Sequence, residues 1–389
     1  MFTLSYRRNI ALLGATEFFA FFGITTFWLL FLSQHGMALW QIGILESIFH
    51  LTSLISEVPS GMLADRFSYK TNLYLSRLAS IFSSILMLVG HGNFWIYAFG
   101  MIINAWAYNF DSGTSSAMLF ESVKEAGLES RFLKISSFLG GLSEVTRTLG
   151  ILVAGFFVHG LLDVTYMIHI ILSLFVLFFI FLMKEPSVKL EREKSPTLKM
   201  IMETVFLTFK REPQLLIWMI KVQFLSVVMT MFYFYYQNEM TALPSWQIST
   251  MMLVSSVVNI GCIWLASRLG QVIKATTLFP IMVGLTGIFY LLSWFQWPLS
   301  YILIYLVTEG LFALFEPIFG NDLQKMIPSD VRATMLSVVS MLFSLAMILI
   351  FPVTGWMIDS FGFANSFVYL GSLLLLATVF LRFQSKSKV

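Results

Sequence analysis

Two long apolar runs are joined by the charged stretch Gly61-Met62-Leu63-Ala64-Asp65-Arg66-Phe67-Ser68-Tyr69-Lys70. We therefore predict a short turn between two membrane-spanning helices. Gly61 allows two backbones to approach closely, while Arg66 and Lys70 carry the positive charge that marks cytoplasmic loops. Asp65 lies where the first helix ends, at the negative pole of its dipole, so it needs a cation or another helix N-terminus as a partner. A simple topology anchor would explain Arg66 and Lys70 but neither Gly61 nor Asp65.

The same stretch resembles the loop motif of the major facilitator superfamily, Gly-x-Leu-Ala-Asp-Arg-x-Gly-Arg-Lys. Ser68 and Tyr69 depart from the motif, and the residues that match it are Gly61, Leu63, Ala64, Asp65, Arg66 and Lys70. The resemblance implies an all-α membrane protein with twelve transmembrane helices in two pseudo-symmetric six-helix halves. It also implies that Asp65 meets the start of the eleventh span and braces a cytoplasmic gate.

Composition supports a polytopic membrane protein independently of the motif. The chain has 389 residues, of which 58% are hydrophobic and 12% charged, and its mean hydropathy is +0.82. Soluble domains are less apolar, and at about 20 residues per span the chain holds about twelve helices. Its single cysteine, Cys262, excludes a disulfide within the chain. The N-terminus lacks a signal-peptide pattern, so we expect the first span to be retained.

The positive charges fall on alternate sides of the predicted spans. These spans are 8–33, 40–62, 71–91, 94–117, 132–158, 163–183, 214–237, 246–267, 275–294, 299–320, 332–354 and 363–382. One set of loops, together with both termini, carries nearly all the lysines and arginines outside the spans, whereas the other set is short and nearly free of them. This asymmetry places both termini in the cytoplasm, in what we expect to be the inner or plasma membrane of a bacterium.

Lys184 to Pro213 is the only long polar stretch. Its charged first part, Lys184 to Pro196, is expected to be flexible. Its second part predicts an amphipathic helix on the inner leaflet, with a soluble tether as the alternative. The apolar face of that helix consists of Leu198, Ile201, Met202, Val205, Phe206 and Phe209. We therefore divide the chain into an N-terminal half (1–183), a linker (184–213) and a C-terminal half (214–389).

The two halves carry a repeated pattern of cytoplasmic residues. Ala64-Asp65-Arg66 follows the second span and Ala266-Ser267-Arg268 the eighth, so the second half has Ser267 where the first has its acid. This difference predicts an asymmetric cytoplasmic gate. The loops after the fourth and tenth spans add an acid and an arginine each, with the same spacing. The predicted gating residues are Gly61, Asp65, Arg66, Lys70, Glu121, Arg131, Asp322 and Arg332.

Ionisable side chains interrupt the predicted spans. Each costs about 2.5–3.5 kcal/mol at mid-bilayer, so such residues persist where they pair or face water. Each of the four spans that line the cavity in the superfamily the chain resembles, the first, fourth, seventh and tenth, carries at least one, and the second and fifth spans carry the others. They are Glu17, Glu46, Asp111, Glu144, Arg147, Lys221, Glu309 and Glu316. The peripheral spans carry almost none, apart from Arg77 and His169.

We predict that Asp111 and Glu309 carry proton coupling, with Glu17 in reserve, because desolvation of a carboxylate favours its protonated form. The predicted substrate-binding residues are Glu144, Arg147, Lys221, Trp106, Tyr108 and Glu316. Three alternatives stay open. Glu144 and Arg147, three residues apart, can form a purely structural ion pair. Asp111 and Glu309 can belong to buried ion pairs that fix helix packing, and Glu46 and Lys221 can snorkel to the membrane surfaces.

Aromatic residues crowd the same spans, and aromatic walls with buried carboxylates suit a lipophilic cation. For Tyr233 to Tyr236 an interfacial belt is the better interpretation. The fifth span has glycines but lacks the Gly-Pro of the superfamily's drug-antiporter signature, which weakens a drug-export interpretation. The sequence has no nucleotide-binding loop and no metal-ligand cluster, so we expect no enzyme activity and no cofactor.

The favoured function is proton-coupled export of a lipophilic or amphiphilic small molecule, as in the bacterial multidrug antiporters that the chain resembles. The alternative is proton-linked transport of a specific polar or anionic metabolite. A third hypothesis is a non-transporting receptor or lipid-handling protein on the same fold. We expect the partners to be the substrate, protons and the lipid bilayer, without nucleic acid, and the chain to be a monomer.

Overall fold

A computed structural model describes residues 5–187, 213–327 and 332–386, without the side chains of 58–66, 332–334 and 382–386. Every long regular element in these ranges is an α-helix, and no strand occurs among them. The predicted amphipathic helix at 198–209 and the start of the eleventh span at 329–331 lie outside the described residues.

Eight helices precede the linker. Their bounds are α1 Tyr6–Ala20, α2 Trp28–Gln34, α3 Leu39–Arg66, α4 Tyr69–Val89, α5 Phe94–Asp111, α6 Thr114–Glu125, α7 Phe132–Ala154 and α8 Leu162–Leu182. Buried residues of α1, α4, α6, α7 and α8 form one hydrophobic cluster that includes Leu12, Leu73, Met118, Leu139 and Val176.

Six helices follow the linker. Their bounds are α9 Pro213–Glu239, α10 Ser245–Leu269, α11 Ala275–Leu291, α12 Pro298–Met326, α13 Arg332–Phe361 and α14 Phe363–Lys386. Short 3-10 turns lie at Glu129–Arg131, Gly155–Phe157, Met240–Ala242 and Leu292–Phe295.

Contacts divide the chain into two compact units. One comprises residues 1–36 and 48–195, and the other comprises 37–47 and 196–389. The first turns of α3 are therefore grouped with the second unit, where the Asp359 carboxylate accepts hydrogen bonds from the backbone N–H groups of Leu39 (3.3 Å) and Trp40 (2.8 Å). The predicted boundaries of the halves and the linker stay a prediction.

Eight segments of the described chain are long and apolar enough to cross a membrane by length and composition. They are Tyr69–Val89, Leu162–Leu182, Pro213–Ala242, Ser245–Leu269, Ala275–Phe295, Pro298–Met326, Met335–Phe361 and Phe363–Leu381. The predicted spans 8–33, 40–62, 94–117 and 132–158 are not among these segments.

The first predicted span, 8–33, is wrong as a single helix. It consists of α1 and α2, and residues 21–27 between them are not helical. This interruption packs directly on α7. A Cβ on Gly150 would lie 2.2 Å from the backbone nitrogen of Gly23, and a Cβ on Gly23 would lie 2.7 Å from the carbonyl oxygen of Arg147. Two backbones touch here, which only glycine permits.

The fourth predicted span, 94–117, is also broken. Helix α5 ends at Asp111, and α6 begins at Thr114 after Gly113, whose φ is +77°. This left-handed conformation suits glycine, which has no Cβ to clash. Two residues, Ser112 and Gly113, therefore redirect the chain in the middle of an apolar stretch.

The corresponding spans of the second half are continuous, but each has a local feature at its hydrogen-bond ladder. The hydroxyl oxygen of Tyr290 lies 2.7 Å from the Met229 carbonyl and 3.1 Å from the Val228 carbonyl, and it accepts from the Phe232 N–H at 3.3 Å. The Tyr290 hydroxyl thus contacts three backbone groups in one turn of α9, and side chains that insert into an i→i−4 ladder are a known cause of helix kinks. In α12, Pro317 has no N–H to donate.

Two further expectations are corrected. The charged motif is mostly helical, because α3 continues to Arg66 and only Phe67 and Ser68 separate it from α4. Ser68 ends the interruption by accepting a hydrogen bond from the Thr71 N–H at 3.2 Å. The interfacial belt is wrong for Tyr235 and Tyr236, which are 0% and 1% exposed inside the second unit.

Candidate functional site

A cavity of about 500 Å³ lies within the first unit, beside both helix interruptions. Its lining includes three charged side chains, Glu17, Arg77 and Asp111, which come from α1, α4 and α5. Five serines join them: Ser112, Ser115, Ser116, Ser136 and Ser143. Apolar and aromatic groups such as Phe21, Tyr108 and Leu139 complete the wall. The cavity is therefore polar and charged although it lies among apolar helices.

The interruptions place the acids at the cavity. Glu17 lies in the last turn of α1, and Asp111 is the last residue of α5. Because neither helix continues straight on, space remains beside these two carboxylates for water or a ligand. An unbroken helix would fill that space with its next turn.

Hydroxyl groups orient both carboxylates. The Ser143 hydroxyl of α7 donates to Glu17 Oε2 at 2.8 Å, and the Ser115 hydroxyl of α6 donates to Asp111 Oδ1 at 2.8 Å. The two acids also act electrostatically on each other. Elements α1, α5, α6 and α7 thus converge on one acidic centre, which can accept hydrogen bonds, a cation or a proton.

Arg77 supplies the positive charge of the cavity. It lies two turns into α4, is partly exposed, and interacts electrostatically with both Asp111 and Glu17. It also acts on His169 of α8, whose Nε2 lies 3.0 Å from the Ser80 hydroxyl. Sequence reasoning placed Arg77 on a peripheral span near the inner surface and gave it no role. The sequence did offer one indication of a polar role for this helix. Its polar residues Arg77, Ser80 and Ser84 are spaced so that they lie along one helical face.

The other predicted substrate residues do not line this cavity, except Tyr108. Glu144 and Arg147 form the predicted ion pair, at 2.6 Å, and remain about half exposed on α7. Trp106 packs against Phe110, with ring centroids 5.6 Å apart. In the second unit, Lys221 and Glu309 are partly exposed and Glu316 is exposed. Glu309 acts electrostatically on Tyr290.

The predicted gating residues have unequal surroundings. The Lys70 ammonium donates to the carbonyls of Met183 (2.7 Å) and Phe181 (3.2 Å) at the end of α8, and both N–H groups at the start of α4 donate to Glu185, at 2.8 and 3.0 Å. These contacts place a cation at a helix C-terminus and an acid at an N-terminus, as helix dipoles favour. The side chains of Gly61, Asp65, Arg66 and Arg332 lie outside the described residues.

Glu121 and Asp322 occupy the same place in the repeat but differ in environment. Asp322 accepts a hydrogen bond from the Ala275 N–H at 2.8 Å and so caps α11. Glu121 is fully buried, and neither carboxylate oxygen has a hydrogen-bond partner in the described part of the chain. Arg131 is exposed at the end of a 3-10 turn.

The start of the linker is fastened to the first unit, so the expectation that it is flexible from Lys184 onward is wrong for residues 184–187. The Asn9 side chain exchanges two hydrogen bonds with the Lys184 backbone, at 2.7 and 2.8 Å. Glu125 accepts from the N–H and hydroxyl of Ser187, at 2.6 and 2.9 Å. Polar residues on α1 and α6 provide these anchors, which composition alone does not reveal.

The family model described as the Major Facilitator Superfamily matches residues 10–349. The chain belongs to the Major Facilitator Superfamily. This membership and the all-helical structure confirm the predicted twelve-helix fold of two six-helix halves. The superfamily is one of multi-pass membrane transporters. A comparison of the sequence with curated proteins found no match.

Solved superfamily structures share the fold over nearly the whole chain. A point mutant of the nucleoside transporter NupG superposes with a TM-score of 0.78 at 14% identity, covering 97% of this chain and 100% of that one. A POT family transporter in complex with a thioalcohol-conjugated peptide gives 0.69 at 14% identity, with coverages of 98% and 96%. A D-xylose–proton symporter gives 0.67 at 16% identity, with 97% of both chains covered.

Proposed function

We propose that this superfamily member couples the movement of protons to transport of a small polar metabolite, by alternating access to the two sides of a bacterial cell membrane. The observation that supports this substrate class is the cavity of the first half, with Glu17, Arg77, Asp111 and five serines in its wall. Membership of a transporter superfamily supports the transport step itself.

The polar wall favours the polar-metabolite alternative over lipophilic export. A lipophilic ligand would displace water from three charged side chains without replacing its hydrogen bonds, and leaving buried polar groups unpaired costs about 1–3 kcal/mol each or more. A polar ligand replaces those bonds. The similar structures carry names of polar substrates, a nucleoside, a peptide and D-xylose, which agrees with this choice.

In this proposal Asp111 and Glu17 carry the proton. They act on each other electrostatically, and two neighbouring carboxylates disfavour a second negative charge. Arg77 of α4 opposes protonation, so the balance changes whenever the cavity opens to water or substrate enters. Glu309 stays a candidate from the sequence, on the corresponding cavity helix of the second half.

The test is transport by purified protein in vesicles with an imposed pH gradient. Asp111→Asn and Glu17→Gln are compared with Glu309→Gln and with the parent. We expect the two first-half variants to lose gradient-driven accumulation and to keep downhill exchange of substrate. Normal pH-driven accumulation in both variants contradicts the assignment, and loss in Glu309→Gln alone moves proton coupling to the second half.

The remaining roles complete the proposal. Asp65 braces the cytoplasmic gate, so Asp65→Asn should leave the protein folded and slow transport. The 198–209 segment lies on the inner leaflet and links two independently moving halves. Both termini are cytoplasmic, and the protein works as a monomer. Probes attached at single cysteines in 198–209 test the second point, since full exposure to water would contradict it.

A further inference from the structure

We infer that the substrate is a small zwitterion, whose ammonium group binds between Glu17 and Asp111 and whose carboxylate binds Arg77. This inference rests on the proposed function and names the substrate class of the same cavity. It follows from the arrangement of three charged side chains and their local partners.

Arg77 is the one positive charge among the described lining residues of this cavity. It lines the cavity, and within the described residues it forms no ion pair shorter than 4.0 Å and no hydrogen bond. Two carboxylates line the same cavity and act on it only over longer distances. An arginine inside a membrane protein normally pairs, because an isolated charge is costly there. Its guanidinium therefore offers a planar set of donors to a ligand carboxylate, which it can bind with two parallel hydrogen bonds.

Each of the two carboxylates keeps one oxygen available to a ligand. Ser143 donates to one oxygen of Glu17, and Ser115 donates to one oxygen of Asp111. The other oxygen of each has no donor in the described part of the chain. These two acceptors belong to α1 and α5 and line one cavity. An ammonium group has three donors, which suits two such acceptors and a serine hydroxyl.

Charge balance excludes the other ligand classes. A simple cation would satisfy the two acids but be repelled by Arg77. A simple anion would satisfy Arg77 but be repelled by Glu17 and Asp111. A neutral polyol would leave all three charges to be desolvated without a counter-charge, which is expensive in a site of low dielectric. A zwitterion alone gives every charged side chain an opposite partner.

The size of the cavity limits the ligand. Its volume of about 500 Å³ falls in the lower part of the range of small-molecule sites, about 300–1,000 Å³. Free amino acids and compounds of similar size fit this space. The serines around it supply further hydrogen bonds to polar substituents.

The experiment uses four ligand mixtures against the purified full-length protein: the common amino acids, their methyl esters, the corresponding acids without the amine, and neutral sugars with nucleosides. Binding is measured as thermal stabilisation over a concentration series. We expect the amino acids to stabilise the protein at concentrations about 10- to 100-fold lower than the esters or the amine-free acids require. This factor corresponds to the free energy of one charged hydrogen-bonded contact.

Charge-removing variants then assign the two contacts separately. Arg77→Gln should lose the preference for amino acids over their esters, while Asp111→Asn should lose the preference over the amine-free acids. Lys134→Gln removes a positive charge outside the cavity lining and should keep both preferences. A purely structural role for Arg77 would weaken all ligands equally and overturn the inference. If Arg77→Gln does not fold, Arg77→Lys should keep the preference over esters with about 10-fold weaker binding.

The outcome also separates this inference from the proposed function. Vesicles containing a pH-sensitive dye report proton movement when each mixture is added. If the neutral sugars and nucleosides stabilise the protein and move protons while the amino acids do neither, the zwitterion is wrong and polar-metabolite transport stands. If none of the mixtures stabilises the protein or moves protons, both are wrong.

Discussion

The two halves of the chain interrupt their corresponding helices by different means. In the first half the backbone itself breaks, at residues 21–27 and at 112–113. In the second half α9 and α12 remain continuous; a tyrosine hydroxyl contacts the backbone of one turn of α9, and Pro317 has no N–H to donate in α12. The positions agree closely in the second pair: α5 ends after 18 residues, and 19 residues of α12 precede Pro317.

The difference explains where the polar cavity lies. A broken helix leaves space beside its last turn, and in the first half Glu17 and Asp111 occupy those turns. The second half fills the comparable level with aromatic rings instead. Phe232 is fully buried, and its ring centroid lies 4.8 to 5.8 Å from those of Phe367, Tyr236 and Tyr290. The polar cavity thus lies beside the broken helices of the first half, whereas the turn of α9 around Phe232 is packed with aromatic rings.

The largest effect is expected at the contact that supports the first interruption. Gly150→Ala would place a Cβ 2.2 Å from the backbone nitrogen of Gly23, where no flexible side chain can yield. Overpacking of this kind costs about 3 kcal/mol, so the thermal unfolding midpoint should fall sharply. Gly141→Ala on the same helix is the control. Its Cβ meets nothing within 4 Å, and it should leave the midpoint unchanged or raise it. Equal midpoints would show that the two backbones do not touch.

Substitutions at Gly113, between α5 and α6, and at Pro317, in α12, should change the stability of the protein in opposite directions. Gly113→Ala puts a side chain at φ +77° and should destabilise the protein by about 1–2 kcal/mol. Pro317→Ala restores a donor to the continuous α12 and should stabilise it, by less than the ~3 kcal/mol that proline costs in an undistorted helix. Both variants should transport more slowly. Shifts of the same sign in thermal unfolding would contradict the comparison.

Tyr290→Phe tests whether α9 is held bent by a side chain. Loss of the hydroxyl should remove its contacts with the Val228 and Met229 carbonyls and with the Phe232 N–H, so that the Phe232 N–H bonds only within the ladder of α9. We expect slower hydrogen exchange at the Phe232 amide and slower transport. Tyr301→Phe, on the neighbouring aromatic ring, should change neither. Faster exchange at Phe232 would show that the hydroxyl supports the helix instead of interrupting it.

The smallest effects are expected at the caps near the gate. Glu185→Gln loses a charge and one of two backbone hydrogen bonds at the start of α4, whereas Asp322→Asn can keep its single bond at the start of α11. We expect destabilisation of about 0.5–1 kcal/mol for the first and a few tenths for the second. Chemical unfolding in mixed micelles can resolve the two, and the reverse order would contradict the asymmetry.

Much of the fold was available from the sequence. The motif at 61–70, the hydropathy of the chain and the loop charges predicted the twelve-helix fold of two halves, and the span positions were close. The Glu144–Arg147 pair followed from helical spacing. The helix breaks did not follow, because Phe21 to Phe27 and Ser112 to Gly113 have the apolar or small residues of an ordinary span. Local hydropathy records which segments enter the membrane, not whether their backbones are continuous.

The amino-acid sequence by itself determined that this protein crosses a membrane many times, as a transporter of the Major Facilitator Superfamily. It also identified Glu17 and Asp111 as charged residues inside membrane spans and predicted a role for them in proton coupling. Only the tertiary structure decided that these two acids share a cavity with Arg77, a residue on a helix that the family resemblance predicted to be peripheral. The reason is physical. Hydrophobic periodicity fixes which residues lie on one face of one helix, whereas side chains from α1, α4 and α5 meet only when those helices pack.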